Sequence, residues 1–111
     1  MSFGFELDGN IYEIDDDGFL QDLDDWSEEV AEYLAYLDDV VLSDAHWEVI
    51  RIVRDCYREH GISPEVNLLL KEMGSRLGQG KGQGAYLLML FPGGAVQASR
   101  IAGTPRPVGC I

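Results

Sequence analysis

At 111 residues with 46% hydrophobic side chains, the chain has the size of a single domain with one modest core. Twenty acidic against eight basic residues give a formal net charge of −12, a balance that disfavours high-affinity binding to a phosphate backbone. No run of about eighteen apolar residues occurs, Met1-Ser2-Phe3-Gly4-Phe5-Glu6 lacks a signal-peptide layout, and two cysteines make no disulfide framework, so a soluble cytoplasmic protein with reduced thiols is expected.

In chain order, Phe3, Phe5 and Leu7 alternate with smaller or polar residues, Asp8-Gly9-Asn10 turns, and Ile11-Tyr12-Glu13-Ile14 returns: a β-hairpin. Asp25 with Glu28 resembles a capping box, and Trp26, Val30, Leu34 and Leu37 recur at helical spacing, predicting a helix over 26–37. Ser43 caps a second helix whose apolar face is Trp47, Ile50, Val53 and Tyr57, flanked by Val49, Ile52 and Cys56, and which Gly61 ends. Ser63 and Pro64 open a third helix with Val66, Leu69, Leu70 and Met73 on its core face, giving a helix-turn-helix-like corner. Gly78 to Gly84 alternates glycine with polar residues and reads as a loop, since its spacing departs from G-x-x-x-x-G-K-[ST]. Short helices are expected over 85–91 and 95–102, with Pro92-Gly93-Gly94 between them. The fold class is α+β and mostly helical, one domain over 1–111 with a mobile C-terminal arm over 103–111.

Charge is uneven. No Lys or Arg precedes Arg51, while no acid follows Met73. A solvated acidic face explains this; a sharper reading has the basic end steering the arm toward an acidic partner surface.

The arm carries the chemistry. Pro105 and Pro107 exclude helix and interior strand while Gly103 and Gly109 allow bends, and Cys110 follows with one residue beyond it, too little chain to bury a thiol. A polyproline-like course over 103–110 reaches roughly 20–25 Å. The nucleophile is the thiolate, whose pKa of about 8.5 falls beside cations. Arg100 and Arg106 are the arm's candidate activating residues, opposed by the terminal carboxylate of Ile111. A thiol with no local base suits a carrier, because sulfur exchange requires access more than an elaborate site.

Three separated segments carry a resemblance. Leu90-Phe91-Pro92-Gly93-Gly94 with Ser99 to Ile111, His46 to Pro64, and Gly18-Phe19-Leu20 with Asp25 to Ala31 together resemble the DsrC/TusE sulfur-carrier family, also described as sulfite reductase gamma-subunit-like. The resemblance implies that Cys110 bears a persulfide. It implies a sulfur donor like TusBCD or DsrEFH and an acceptor like MnmA, in tRNA 2-thiouridine synthesis, or like sulfite reductase. Two-cysteine members have a second thiol where this chain has Ser99, and serine cannot form that bridge, so the pattern is similar to the single-cysteine, TusE-like branch. No cofactor, no metal, no membrane, no direct nucleic-acid contact and no independent turnover are implied. Departures from the family pattern at Pro64 to Lys71, Lys81 to Leu88 and Ala95 to Ala98 remove basic residues, leaving open a divergent paralogue in sulfur oxidation, or a docking subunit of sulfite reductase.

Other residues read structurally. Cys56 is expected in the core as a small hydrophobe. His46 and His60 lack metal-ligand spacing, and Trp26 and Trp47 read as core anchors at helix starts. A helix-turn-helix DNA-binding regulator is the alternative from another class; its recognition helix would offer only Lys71 and Arg76 beside Glu65 and Glu72.

Overall fold

The computed structural model describes residues 3–107. Strand β1 (Phe3–Leu7) pairs antiparallel with β2 (Asn10–Ile14), and Leu7 lies opposite Asn10. The turn is therefore only Asp8-Gly9, and Asn10, expected in the turn, belongs to β2. Asp8 and Gly9 have φ of 52° and 83°, the left-handed pair of a hairpin turn whose twist matches the flanking strands. Phe5 stacks on Tyr12 at 5.2 Å and on Tyr33 at 4.7 Å, which fastens the hairpin to the first helix.

Helix α1 (Glu28–Leu37) begins two residues later than the Asp25 cap predicts. Asp22 caps a separate 3-10 turn, Leu23–Asp25, by accepting from Asp24 N–H at 3.0 Å. Ser27 caps α1, accepting from Val30 N–H at 3.2 Å. Two strong caps within six residues split the segment. Trp26 stands between them in extended backbone (φ −69°, ψ 138°), off the helix. Val30, Ala31, Leu34 and Ala35 form the buried face, while Leu37, expected in the core, is 54% exposed.

Helix α2 (Asp44–His60) runs between Ser43 and Gly61 as its sequence predicts, Gly61 taking φ 74° at the C-terminus. His46 Nδ1 accepts from Ser43 N–H at 3.0 Å, so the ring donates through Nε2 to Leu90 O at 2.8 Å. One imidazole thus ties the start of α2 to the end of α4 (Gly84–Leu90). Helix α3 (Val66–Leu77) is capped by Glu65, whose carboxylate accepts from Asn67 and Leu68 N–H at 3.0 and 2.7 Å. A carboxylate taking two amides displaces the expected Ser63 cap and leaves that hydroxyl free for another partner. The Gly78 to Gly84 stretch folds into a 3-10 turn, Gln79–Lys81. Gly82 lies directly on Gly74, where a Cβ would fall 2.7 Å from the Gly74 Cα.

Helix α5 (Gly94–Ile101) packs on α1, α2, α3 and α4, and its inward face is Ala95, Ala98, Ser99 and Ile101. Small side chains let the other helices approach closely. Phe91, Ile50, Leu69, Met73 and Val53 fill the space around it, and Cys56 is buried among them as expected. The arm therefore leaves from the most enclosed helix of the domain. Among the described residues no helix is long and apolar enough to cross a membrane.

Candidate functional site

Cys110 lies outside the described residues, but the segment that carries it is described through Pro107. That segment is fixed to the body at successive positions. Trp26 Nε1 donates to Ile101 O at 2.9 Å, and an Arg54 guanidinium nitrogen donates to Ala102 O at 2.8 Å. The same guanidinium lies over the Trp26 ring, 3.8 Å from its centroid, so indole and cation brace each other. Burial, and then the charge of Arg58, press the Arg54 pKa below its usual value, yet from so high a starting point that it stays cationic.

Gly103 follows with φ 75° and sits flat on the indole; a Cβ there would overlap Trp26 Cδ1 and Cγ and fall 2.8 Å from Trp26 Cβ. Thr104 N–H and Oγ1 both donate to Ser99 O, at 3.0 and 3.3 Å. The Ser63 hydroxyl left free by Glu65 donates to Pro105 O at 2.5 Å. Arg106 meets the Asp17 carboxylate at 2.6 Å and lies 5.3 Å from the Phe19 ring centroid. Pro107 is buried.

The first five residues of the expected arm are thus seated on the domain. From Pro107 to Cys110 there are three residues, and covalent geometry bounds the distance between their Cα atoms at about 11 Å. A reach of 20–25 Å requires the seated residues to lift off.

Arg100 and Arg106 are both paired with aspartates. Arg100 binds Asp38 at 2.6 Å, and the same carboxylate oxygen accepts from Gln97 Nε2 at 3.1 Å while Gln97 Oε1 accepts from Gly93 N–H at 2.8 Å. Arg100 therefore serves the α1–α5 contact, and Arg106 serves the seating of the arm. Ser99 is fully buried, and its Oγ has no hydrogen-bond partner among the described residues. Cys56 is 1% exposed, and its pKa is raised by burial first and by Glu72 second, which keeps it a protonated thiol at neutral pH. No group of three or more potential metal ligands occurs among the described residues.

The residues that sequence reasoning missed are Trp26, Arg54, Ser63 and Asp17. Locally, Trp26 reads as a core anchor, Arg54 as a polar position of the second helix, Ser63 as a cap and Asp17 as the last of three consecutive aspartates, Asp15 to Asp17. Their partners lie 42 or more positions away in the chain. The available signal was Gly103: a glycine that closes a helix and is followed at once by Thr-Pro.

The chain is similar to known proteins over nearly its whole length. The family model described as DsrC like protein matches residues 6–111. The Sulfurtransferase TusE of Yersinia pseudotuberculosis is 45% identical over 107 residues, 96% of this chain and 99% of that protein. The NMR structure of DsrC from Allochromatium vinosum superposes with a TM-score of 0.90 at 42% identity, covering all of both chains. The oxidized gamma-subunit of dissimilatory sulfite reductase (DsrC) from Archaeoglobus fulgidus gives a TM-score of 0.84 at 37% identity, covering 97% of this chain and 99% of that one.

Proposed function

This chain belongs to the DsrC-like family, and from that premise we propose that it is a sulfur-relay carrier bearing a persulfide on Cys110. The observation that carries the reading is the near full-length similarity to a protein named a sulfurtransferase. The Cys110 thiolate attacks the outer sulfur of a donor persulfide; the donor S–S bond breaks, its thiolate leaves, and Cys110 becomes Cys–S–SH. The reverse roles then apply at the acceptor, with no net oxidant consumed.

Two features of the chain support Cys110 over Cys56 and a single-thiol carrier over a two-thiol one. Cys56 is enclosed and held as a thiol, unsuited to nucleophilic attack. Ser99 occupies an enclosed position on α5 and offers no sulfur to form an internal bridge. The donor is of the TusBCD type and the acceptor of the MnmA type, which puts the carrier in tRNA 2-thiolation in the cytoplasm.

The test is intact-protein mass spectrometry of wild type, Cys110→Ser and Cys56→Ser after treatment with a persulfide donor and again after reductant. The reading requires a reversible gain of about 32 Da, one sulfur atom, on wild type and Cys56→Ser but not on Cys110→Ser. A gain that follows Cys56, or none at all, overturns it.

A further inference from the structure

One face of α2 combines features found nowhere else among the described residues. Trp47, Arg51, Arg54 and Arg58 follow one another at helical spacing, and three of the six arginines of this acidic chain fall in that stripe. With Trp26 they line a cavity of about 240 Å³ that contains both of the chain's tryptophans; Glu28 and Asp55 also line it and Asp24 lines its neighbour, so the three arginines share this surface with as many carboxylates. A second cavity, of about 200 Å³, shares Arg54 and Arg58 with the first and is walled on its other side by Gly103 and Thr104. The arginine stripe and the root of the arm are therefore one continuous surface.

Its polar groups are incompletely matched. Asp55, which also lines the larger cavity, is held by Arg58 at 3.2 Å and by Arg76 at 2.9 Å. Arg51 is exposed, and neither it nor Arg54 has a carboxylate partner among the described residues. Arg54 keeps one guanidinium nitrogen on Ala102 O and its guanidinium over Trp26, and its other N–H donors have no hydrogen-bond partner among the described residues. Exposed arginine beside half-buried tryptophan is the side-chain composition of interface hot spots, and the guanidinium fork matches a carboxylate.

With residues 103–107 seated, a protein that exchanges sulfur with Cys110 must place its reactive sulfur within about 15 Å of the Pro107 Cα, the Cα–Cα bound plus the side chain and one S–S bond. A standard interface of about 800 Å² per partner is a disc of about 16 Å radius, wide enough to extend from there across Thr104 onto α2. The alternative flank, around Asp15, Asp16 and Asp17, is acidic and repels a carboxylate-bearing surface.

We propose that the Trp47–Arg51–Arg54–Arg58 face of α2, continuous with the arm root, is the docking surface for an acidic patch on the protein that exchanges sulfur with Cys110. This rests on the sulfur-carrier reading. Docking there sets the partner's reactive sulfur, a persulfide in a donor or the attacking thiolate in an acceptor, beside the root of the arm that carries Cys110, and the protein's overall negative charge disfavours an acidic partner on its other faces.

The test is heteronuclear NMR titration of the full chain with a glutamate-rich peptide, and with its glutamine counterpart, to about 2 mM, a range that detects weak contacts. The indole N–H signals of Trp26 and Trp47 and the signals of Arg51 and Arg58 are expected to shift with the glutamate peptide only. Arg51→Glu/Arg58→Glu is expected to weaken the apparent affinity about tenfold or more, and Arg51→Lys/Arg58→Lys to keep the same signals shifting. Absence of any shift, shifts centred on Lys71 and Lys81, or shifts of these signals by an RNA oligonucleotide but not by the peptide overturns the proposal. The titration involves no sulfur, so loss of persulfide loading on wild-type Cys110 removes the carrier reading without altering this result, and the reverse also holds.

Discussion

Replacing Gly103 by alanine tests the seating of the arm most directly, because the chain contains its own control. Gly61 and Gly103 have nearly the same left-handed φ, 74° and 75°. An alanine at Gly61 meets nothing within 4 Å, whereas one at Gly103 collides with the Trp26 ring. Both changes incur the left-handed penalty of roughly 1–2 kcal/mol, offset by about 0.5 kcal/mol from the less flexible unfolded chain. Gly61→Ala should therefore cost about 1 kcal/mol.

At Gly103 the indole must also move. That loses the Trp26 Nε1 bond to Ile101 O, worth about 1 kcal/mol, and the stacking of Arg54, worth about 0.5–1 kcal/mol. Gly103→Ala should accordingly lose about 1.5–2 kcal/mol more than Gly61→Ala, unless residues 103–107 lift off and cap the cost at the free energy of their seating. Guanidinium denaturation gives both stabilities, and hydrogen exchange at Thr104 N–H separates the two routes, since lifting exposes that amide. Equal losses for the two variants, with Thr104 protection unchanged in both, would refute the stacked arrangement of Gly103 on Trp26.

Ser63→Ala removes the hydroxyl on Pro105 O and should lower stability by about 1 kcal/mol, with faster exchange at Thr104 as the local readout. Ser99→Ala removes a buried hydroxyl that lacks a partner; it should leave stability unchanged or raise it by about 1 kcal/mol, measured by the same denaturation, and a loss above that size would show that the hydroxyl is satisfied. The Cys56 thiol has a folded-state pKa raised above its unfolded value, so its contribution is fully present below the unfolded pKa near 8.5–9 and is lost as pH rises through the folded one, at up to about 1.4 kcal/mol per pH unit. Cys56→Ala should flatten the alkaline limb of the stability profile, and an unchanged slope would contradict the burial of the thiol. The Arg106–Asp17 pair is 52% and 60% exposed, and a double-mutant cycle should return a coupling below about 1 kcal/mol that fades with salt.

Much of the fold was legible because it is written locally. Helices α2 to α5 follow apolar spacing and punctuation such as Gly61 and Pro92-Gly93-Gly94, and the hairpin follows Asp8-Gly9. The misplacements came where two local signals competed. Asp22 and Ser27 divide what Asp25 and Glu28 suggested as one helix start, and Glu65 takes the cap from Ser63. Both cases set a side chain free, Trp26 in one and Ser63 in the other, and both freed groups bind the arm. The arm's proline and glycine content was read as freedom, but a segment without its own regular structure can still be held entirely by side chains from elsewhere. Those holds join residues separated by 42 to 89 positions, and nothing in a single sequence registers such pairs.

Considered mechanically, the seated residues behave as a strip that peels from its free end. A pull on the thiol loads the Arg106–Asp17 pair first, then the Ser63–Pro105 bond, and only afterwards Thr104 and the glycine on the indole. Each of the first steps opposes the pull with about 1 kcal/mol or less and releases roughly 3.5 Å of chain per residue. In the proposed carrier role, extension is graded, and how far the arm leaves the domain is set by the pull along it.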